Sequence, residues 1–154
     1  MTPPYSKGYA KDKDGKIVEV PPCWPTGGTA GAMISNMDDM GIYVRKLYYG
    51  SLISPEANKE RQVWKKISGM SQNTVNNRIV EFGYGLGLFN IGGGIGNGGM
   101  MPGYCIGAYY YPAKDITLVI EMNLFDMGAY ENGINKICQV LFGNEYPFAV
   151  PMTE

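Results

Sequence analysis

Between Gly83 and Gly107 the chain carries eleven glycines, and from Phe82 to Ala113 it has no Asp, Glu, Lys or Arg. With 22 glycines in 154 residues, half of the total falls in about a sixth of the length, which sets this stretch apart from an ordinary globular composition. Its centre reads Ile91-Gly92-Gly93-Gly94-Ile95-Gly96-Asn97-Gly98-Gly99-Met100-Met101-Pro102-Gly103. On composition alone the run is a connection between two strands. It also contains Gly94-Ile95-Gly96-Asn97-Gly98-Gly99, a match to the G-x-G-x-x-G dinucleotide fingerprint. That fingerprint needs a helix opening behind it, so that backbone amides and the helix dipole meet the pyrophosphate. Here Met100-Met101-Pro102-Gly103 and a strand-like run follow, and the match is weak.

The rest of the composition excludes several classes of function. Thirteen basic and fourteen acidic side chains leave a net charge of −1, so no overall electrostatic footprint for nucleic acid or an anionic membrane is present. Histidine is absent, which removes Ser-His-Asp and Cys-His nucleophile systems and every imidazole metal site. No metal and no cofactor are expected. Cys23, Cys105 and Cys138 show no Cys-x-x-Cys spacing and read as buried free thiols. No apolar run is long enough to cross a membrane, and Met1-Thr2-Pro3-Pro4-Tyr5 lacks the basic start and apolar stretch of a secretory signal. The compartment stays open. Hydrophobic residues at 45% and charged residues at 18% describe a globular chain that buries a core.

Along the chain, residues 1–29 hold five of the ten prolines and read as an irregular N-terminal arm, with an exposed turn at Lys11-Asp12-Lys13-Asp14-Gly15. Residues 30–154 read as one α+β domain. Ser35 is the expected cap of a first helix, with Asp38 and Asp39 near its positive end and an apolar stripe of Met37, Met40, Val44 and Leu47. Gly50 stops it. Ser54-Pro55-Glu56 starts a second helix, expected to run through Trp64 to about Ile67. A loop follows from Ser71 to Asn77. Ile79 to Asn90 alternates glycine with Phe82, Tyr84, Leu86 and Leu88 and reads as one strand with backbone packed closely on one face.

Gly103 to Tyr111 and Ile116 to Asn123 flank the turn Pro112-Ala113-Lys114-Asp115, an antiparallel hairpin. The second of these strands, with only Thr117 polar through Ile120, reads as central and covered on both sides. Tyr109-Tyr110-Tyr111 reads as core packing. A last helix is expected from Gly128 to Leu141, with Tyr130, Ile134, Ile137 and Leu141 inward and Gly143 ending it. Helices, then a meander of strands, then a helix give an α+β fold with an antiparallel sheet and flanking helices.

The order of short motifs carries a resemblance. Asn97-Gly98-Gly99-Met100, Pro102-Gly103-Tyr104, the turn Pro112-Ala113-Lys114-Asp115 and Asn123 resemble one stretch of the serine β-lactamase and penicillin-binding-protein superfamily. The nearest branch looks like that of class C β-lactamases, D-amino-acid carboxypeptidases and family VIII-type esterases. Gly8-Tyr9-Ala10, Ala30-Gly31-Ala32-Met33-Ile34-Ser35-Asn36-Met37-Asp38-Asp39-Met40, Gly50-Ser51-Leu52-Ile53-Ser54-Pro55-Glu56 and Tyr84-Gly85-Leu86-Gly87 are similar to further family segments, in the family's order. The resemblance implies the C-terminal half of the β-lactamase/transpeptidase-like fold. In it the glycine run is the family's third-motif strand rather than a loose connection or a phosphate cradle.

In that family a serine attacks an acyl carbonyl, a lysine three residues later and a tyrosine move protons, and backbone amides hold the oxyanion. By position, Asn97 takes the place of the family's lysine or histidine, Gly98 and Gly99 follow, and Met100 supplies an oxyanion amide. Asn123 takes a place that faces the cleft or simply ends its strand. Two departures stand out. None of Ser6, Ser35, Ser51, Ser54, Ser68 or Ser71 has lysine three residues on, and Asn97 carries no charge to attract a carboxylate. Tyr5-Ser6-Lys7 resembles a Tyr-x-Asn motif only superficially, because it lies far too close to Ala30. The resemblance therefore implies part of a hydrolase of amides or esters, inactive by itself, with a small-molecule acyl substrate. A non-catalytic ligand- or protein-binding module is the alternative. A strand edge left unpaired is expected to be covered by a second copy of the chain or by the missing N-terminal half.

Overall fold

The computed structural model describes residues 5–21, 27–67, 74–75, 78–79 and 82–143. In chain order these form β1 (Gly8–Lys11), β2 (Ile17–Val20), α1 (Gly28–Gly31), α2 (Met37–Tyr49), α3 (Pro55–Arg61), β3 (Lys65–Lys66), β4 (Thr74–Val75), β5 (Arg78–Ile79), β6 (Phe82–Tyr84), β7 (Phe89–Ile91), β8 (Gly94–Met101), β9 (Tyr104–Tyr111), β10 (Ile116–Met122), β11 (Leu124–Phe125) and α4 (Met127–Phe142). The main sheet runs β10-β9-β8-β7-β6-β3, antiparallel at every step. A smaller sheet, β11-β1-β2, is built where β1 joins β11 in parallel. A short pair, β4-β5, stands apart.

Helices cover both faces of the main sheet. Because side chains alternate along a strand, β9 sends Ala108 and Tyr110 to one face, where they pack with Val44 of α2. It sends Tyr109 and Tyr111 to the other, where they pack with Leu118 and with Cys138 and Phe142 of α4. A third cluster joins Trp64, Leu88 and Ile95 on the α2 side, with Leu47 and Tyr48 against it. The sheet with a helix on each side gives the expected α+β architecture, and the tyrosine run is core, with Tyr110 only 1% exposed.

The helix ends follow from local chemistry, with one shift. The cap of α2 is Asn36 and not Ser35: the Asn36 side chain accepts from the Asp39 N–H at 2.8 Å and donates to the Asp39 carboxylate at 2.9 Å. Asparagine satisfies both groups reciprocally, which serine cannot do from one position earlier. Gly50 ends α2 in the left-handed region, at φ 75°. Ser54 caps α3 and Pro55 opens it, as the sequence indicates. That helix stops at Arg61 instead of continuing to Ile67, because Lys65 and Lys66 pair with Tyr84 and Gly83 of β6. Met37 is 54% exposed and Leu141 is 44% exposed, so the inward stripes are Met40, Val44 and Leu47 in α2 and Tyr130, Ile134, Ile137, Cys138 and Phe142 in α4.

Four other expectations change. The arm over residues 1–29 is not irregular throughout: β1 and β2 form a hairpin whose turn is held by Asp12, which accepts from the N–H groups of Asp14 and Lys16 at 2.9 Å. Within the expected loop from Ser71 to Asn77, Thr74–Val75 is a strand paired with Arg78–Ile79, and the other positions lie outside the described residues. Cys23 also lies outside them, whereas Cys105 and Cys138 are buried free thiols. Ile79 to Asn90 is not one strand: β6 and β7 fold back on each other across Gly85 to Leu88, with Gly87 at φ 69°. Finally, β10 is covered on both faces by helices yet, among the described residues, stands at the edge of the main sheet, not at its centre.

Candidate functional site

The glycine run turns at Gly92 and Gly93, which adopt φ 55° and 85°, and then becomes the eight-residue strand β8. It is neither a loose connection nor the opening of a helix, which removes the phosphate-cradle reading. Its first three residues, Gly94, Ile95 and Gly96, pair with β7, and from Ile95 onward the strand also pairs with β9. From Asn97 to Met101 only β9 remains among the described residues, and Asn97, Gly98, Gly99 and Met100 are exposed.

The pairing fixes which backbone groups face the open side. Pro102 and Gly103 close a two-residue hairpin, with Gly103 at φ 91°. The closing pair Met101–Tyr104 exchanges its hydrogen bonds, and bonded and non-bonded pairs alternate from there. Asn97, Gly99 and Met101 therefore spend their backbone groups on β9, while Gly98 and Met100 turn theirs outward. The outward N–H of Gly98 is already taken, since it donates to Asn97 Oδ1 at 2.8 Å. Asn97 Nδ2 donates in turn to the Gly87 carbonyl at 3.1 Å, tying β8 to the turn between β6 and β7. Within the stretch 97–101, the Met100 amide is thus the outward donor without a partner among the described residues. Such an amide, on an uncharged strand edge, can donate to a carbonyl oxygen or to the oxyanion formed from it.

Behind the strand lies a layer of phenols that the sequence reading did not connect to it. A methyl group at Gly94 would lie 2.5 Å from the Tyr111 ring, at Gly98 3.1 Å from the Tyr109 hydroxyl, and at Gly107 2.2 Å from the Tyr130 hydroxyl. Glycines on β8 and β9 thus make room for aromatic side chains of β9 and α4. Burial pushes the Tyr109 hydroxyl up to about 12, and burial likewise raises Tyr130, so both are neutral phenols at neutral pH. The Tyr130 oxygen is buried without a hydrogen-bond partner among the described residues. The signal for this layer was present in the tyrosine and glycine counts, but only the register shows which glycine faces which ring.

The structure brings Asn97, Gly98, Gly99 and Met100 together on one strand. It does not bring Asn123 to them. Asn123 follows β10, across β9 from Met100, and its Nδ2 donates to the Lys7 carbonyl at 3.0 Å. Tyr104, at the start of β9, holds the same segment by donating its hydroxyl to the Ser6 carbonyl. Gly103 and Gly8 touch so closely that a methyl group on either would collide with the other chain segment. Ser6, Lys7 and Gly8 are therefore fastened at the turn end of the β8–β9 hairpin. Nearby, a methyl group on Gly31 would lie 3.6 Å from Met101 Sδ, so α1 rests against the end of β8.

With this geometry in hand, comparison with known proteins is specific. A family model described as Beta-lactamase matches residues 1–136. Among solved structures, the chain is similar to a D-stereospecific amidohydrolase from Streptomyces sp., with a TM-score of 0.64 and 26% identity over 80% of this chain and 36% of that one. It is similar to a D-amino acid amidase from Ochrobactrum anthropi SV3, determined with D-phenylalanine, with a TM-score of 0.62 and 17% identity over 88% of this chain and 43% of that one. It is also similar to a penicillin binding protein from Bacillus halodurans, with a TM-score of 0.52 and 17% identity over 86% and 40% of the two chains. The latter two share the fold alone. The chain spans less than half the length of each of these structures. No curated protein sequence matches it.

Proposed function

The chain belongs to the beta-lactamase family, with the antiparallel sheet and flanking helices of the β-lactamase/transpeptidase-like fold, and on that premise we propose that β8 is one wall of an acyl-transfer site whose nucleophile lies outside this sequence. The observation that carries the proposal is the outward Met100 amide on the open, uncharged half of β8. In this reading a substrate carbonyl lies against the strand, and the Met100 N–H stabilises the oxyanion as a serine oxygen adds to the carbon. None of the six serines of this sequence has lysine three residues on. The serine, its lysine and the proton-moving tyrosine therefore come from another stretch of polypeptide, and this chain alone does not turn over.

Asn97 shapes the substrate class. Its amide is neutral and occupied by Gly98 and Gly87, so it offers no charge to a carboxylate. Acyl groups without a free carboxylate, such as simple amides or esters, suit this wall better than acids do. The two amide-cleaving relatives make a D-amino-acid amide the natural probe. Titrating D-phenylalaninamide into isotope-labelled protein is expected to shift the Gly98, Gly99 and Met100 amide resonances without releasing D-phenylalanine. Shifts confined to other parts of the chain would overturn the assignment of the wall. Product release, or covalent labelling of a serine by a fluorescent penicillin, would overturn the inactivity of the isolated chain.

A second reading, a non-catalytic binding module at the same edge, is favoured by the self-contained hydrogen bonding of Asn97. Ligand-dependent melting that persists when the rest of the family's catalytic apparatus is supplied in trans, still without product, would select it.

A further inference from the structure

Asn97 is tied to the turn between β6 and β7, and that turn is itself tied to the end of α3. The Leu86 N–H donates to the Arg61 carbonyl at 3.0 Å, and the Gly85 N–H closes the turn on the Leu88 carbonyl at 2.9 Å. Both glycines of Tyr84-Gly85-Leu86-Gly87 serve this arrangement. A methyl group on Gly85 would lie 2.1 Å from the Arg61 carbonyl oxygen and 3.2 Å from the Trp64 ring. Gly87 takes φ 69°, a left-handed position, and its carbonyl receives Asn97 Nδ2. The Leu86 side chain is exposed, so its backbone anchors the turn.

Arg61 is fixed in turn by the end of α2. That helix leaves its last carbonyls without partners of its own, and α3 supplies them. Arg61 Nη2 donates to the Leu47 carbonyl and, at 2.7 Å, to Asn58 Oδ1. Asn58 Nδ2 and Gln62 Nε2 donate to the Tyr48 carbonyl at 3.2 Å and 3.1 Å. Leu47 and Tyr48 pack against Trp64, Leu88 and Ile95, so the junction rests on the core that includes β8. Arg61 Nε is buried with no hydrogen-bond partner among the described residues, a cost that an apolar side chain would avoid. An unbroken series of contacts thus runs from Leu47 through Arg61, Leu86 and Gly87 to Asn97 and Gly98.

We infer that Arg61 is a positioning residue that sets the specificity of this wall, an inference that rests on the acyl-site reading of β8. The bond from the outward Gly98 N–H to Asn97 Oδ1 holds the carboxamide over the open edge of the strand. With both of its ends engaged, the stretch 97–101 offers a ligand the Met100 N–H, but neither Asn97 Nδ2 nor the Gly98 N–H. One neutral amide serves a substrate carbonyl. A carboxylate needs more, because several donors must replace the water that its charge gives up. Once Arg61 lets the turn go, the Gly87 carbonyl is no longer pinned and Asn97 swings away from Gly98. Two further donors then join Met100 on the same edge, and a carboxylate is held. The latch selects amides over acids with no charged side chain at the wall.

Two probes that differ only in their end group test this on the intact chain: N-acetyl-D-phenylalaninamide and N-acetyl-D-phenylalanine, each followed by the Met100 amide resonance. The parent is expected to bind the amide more tightly than the acid. Arg61→Ala is expected to raise the affinity for the acid roughly tenfold, with little change for the amide. Arg61→Lys keeps a donor for the Leu47 carbonyl and is expected to retain the parent ratio. A loss of stability alone would weaken both probes together and leave that ratio where it was. Leu86→Pro deletes the N–H that Arg61 accepts and is expected to shift the ratio as Arg61→Ala does. A ratio unchanged in both Arg61→Ala and Leu86→Pro overturns the latch alone, as does a parent that binds both probes alike. No response of Met100 to either probe in the parent overturns the acyl-site reading, and the specificity claim falls with it. Hydrogen exchange on the unaltered chain decides even if neither variant folds. The Leu86 amide is expected to be protected beneath its exposed side chain, and free exchange there overturns the inference.

Discussion

The strands β8 and β9 are equal in length, paired with each other from Ile95–Tyr110 to Met101–Tyr104, and opposite in composition. Four of the eight residues of β8 are glycine, while β9 ends in three consecutive tyrosines. Hydrophobic burial alone would make β9 the structural strand and β8 an accident. The geometry says otherwise. On the α4 side, β8 is empty at Gly94 and Gly98 because side chains of Tyr111, Tyr109 and Tyr130 occupy or crowd that space, and at Gly96 because the backbone of Ala108 and Tyr109 does. The bare strand and the bulky one are two halves of one packing solution, in which glycine removes the side chain that an aromatic needs to lie flat. The same emptiness brings the backbone of β8 to the surface at Asn97 to Met100, where a substrate can reach an amide.

The sharpest way to break that complementarity is Gly96→Ala. A methyl group there would lie 1.9 Å from the Ala108 carbonyl oxygen, and backbone cannot step aside as a side chain can. The expected loss is roughly 3 kcal/mol, read as a lowered denaturation midpoint with an unchanged denaturant slope. A variant as stable as the parent would show that the two strands do not fit as described.

Gly107→Ala should cost less, about 1–2 kcal/mol, because the obstacle 2.2 Å away is the Tyr130 hydroxyl, the far end of a side chain. The pair is testable as a cycle. Tyr130→Phe removes a buried hydroxyl that has no partner among the described residues, so it should be neutral or stabilising by up to about 1 kcal/mol. In the Tyr130→Phe background, Gly107→Ala should cost measurably less than in the parent. Strict additivity would mean that the hydroxyl and the glycine do not meet.

These contacts also mark the limit of what the sequence disclosed. Helix starts and stops were legible where one residue does the chemistry, as at Gly50, Ser54 and Pro55, and the β9–β10 turn was legible from Pro112-Ala113-Lys114-Asp115. The motif order led to the family and to β8 as the strand of interest. Edges were not legible. An apolar run such as Ile116 to Ile120 reports covered faces, and β10 has them, but hydropathy says nothing about the strand's neighbours in the plane of the sheet. The turn between β6 and β7 was hidden for a related reason: Leu86 continues the apolar alternation of Phe82 and Tyr84, yet it sits in the turn at 63% exposure. In the site, the position of Asn97 was legible, but its engagement with Gly87 and Gly98 depends on a turn ten residues away.

The smallest expected effect concerns a hydroxyl on β9 that is tied into a charged network. Tyr110 and Tyr49 share a hydrogen bond of 2.8 Å, Tyr110 donates to Asp115 at 2.8 Å, and Arg45 donates to the same carboxylate oxygen at 2.7 Å. The Arg45 guanidinium also lies 4.8 Å from the Tyr110 ring centre. Asp115 sits at φ 51°, a left-handed position in the β9–β10 turn that aspartate and asparagine tolerate better than most residues. The Tyr110 hydroxyl, then the Arg45 guanidinium, hold its carboxyl below the ordinary value of 3.8. A carboxyl lowered on folding stabilises the protein above its unfolded value, and that contribution is lost as the pH falls through the folded one. Stability should therefore decline on acidification below about pH 4, and Asp115→Asn should flatten part of the decline by slightly lowering the neutral-pH melting temperature while leaving the acid end nearly unchanged. Asp126, lowered by the Lys11 ammonium and the Ala129 amide, accounts for a separate share. Asp115→Asn and Asp126→Asn should each remove a portion, and the double variant both. Identical acid limbs for the parent and Asp115→Asn would mean that Tyr110 anchors β9 through its ring alone.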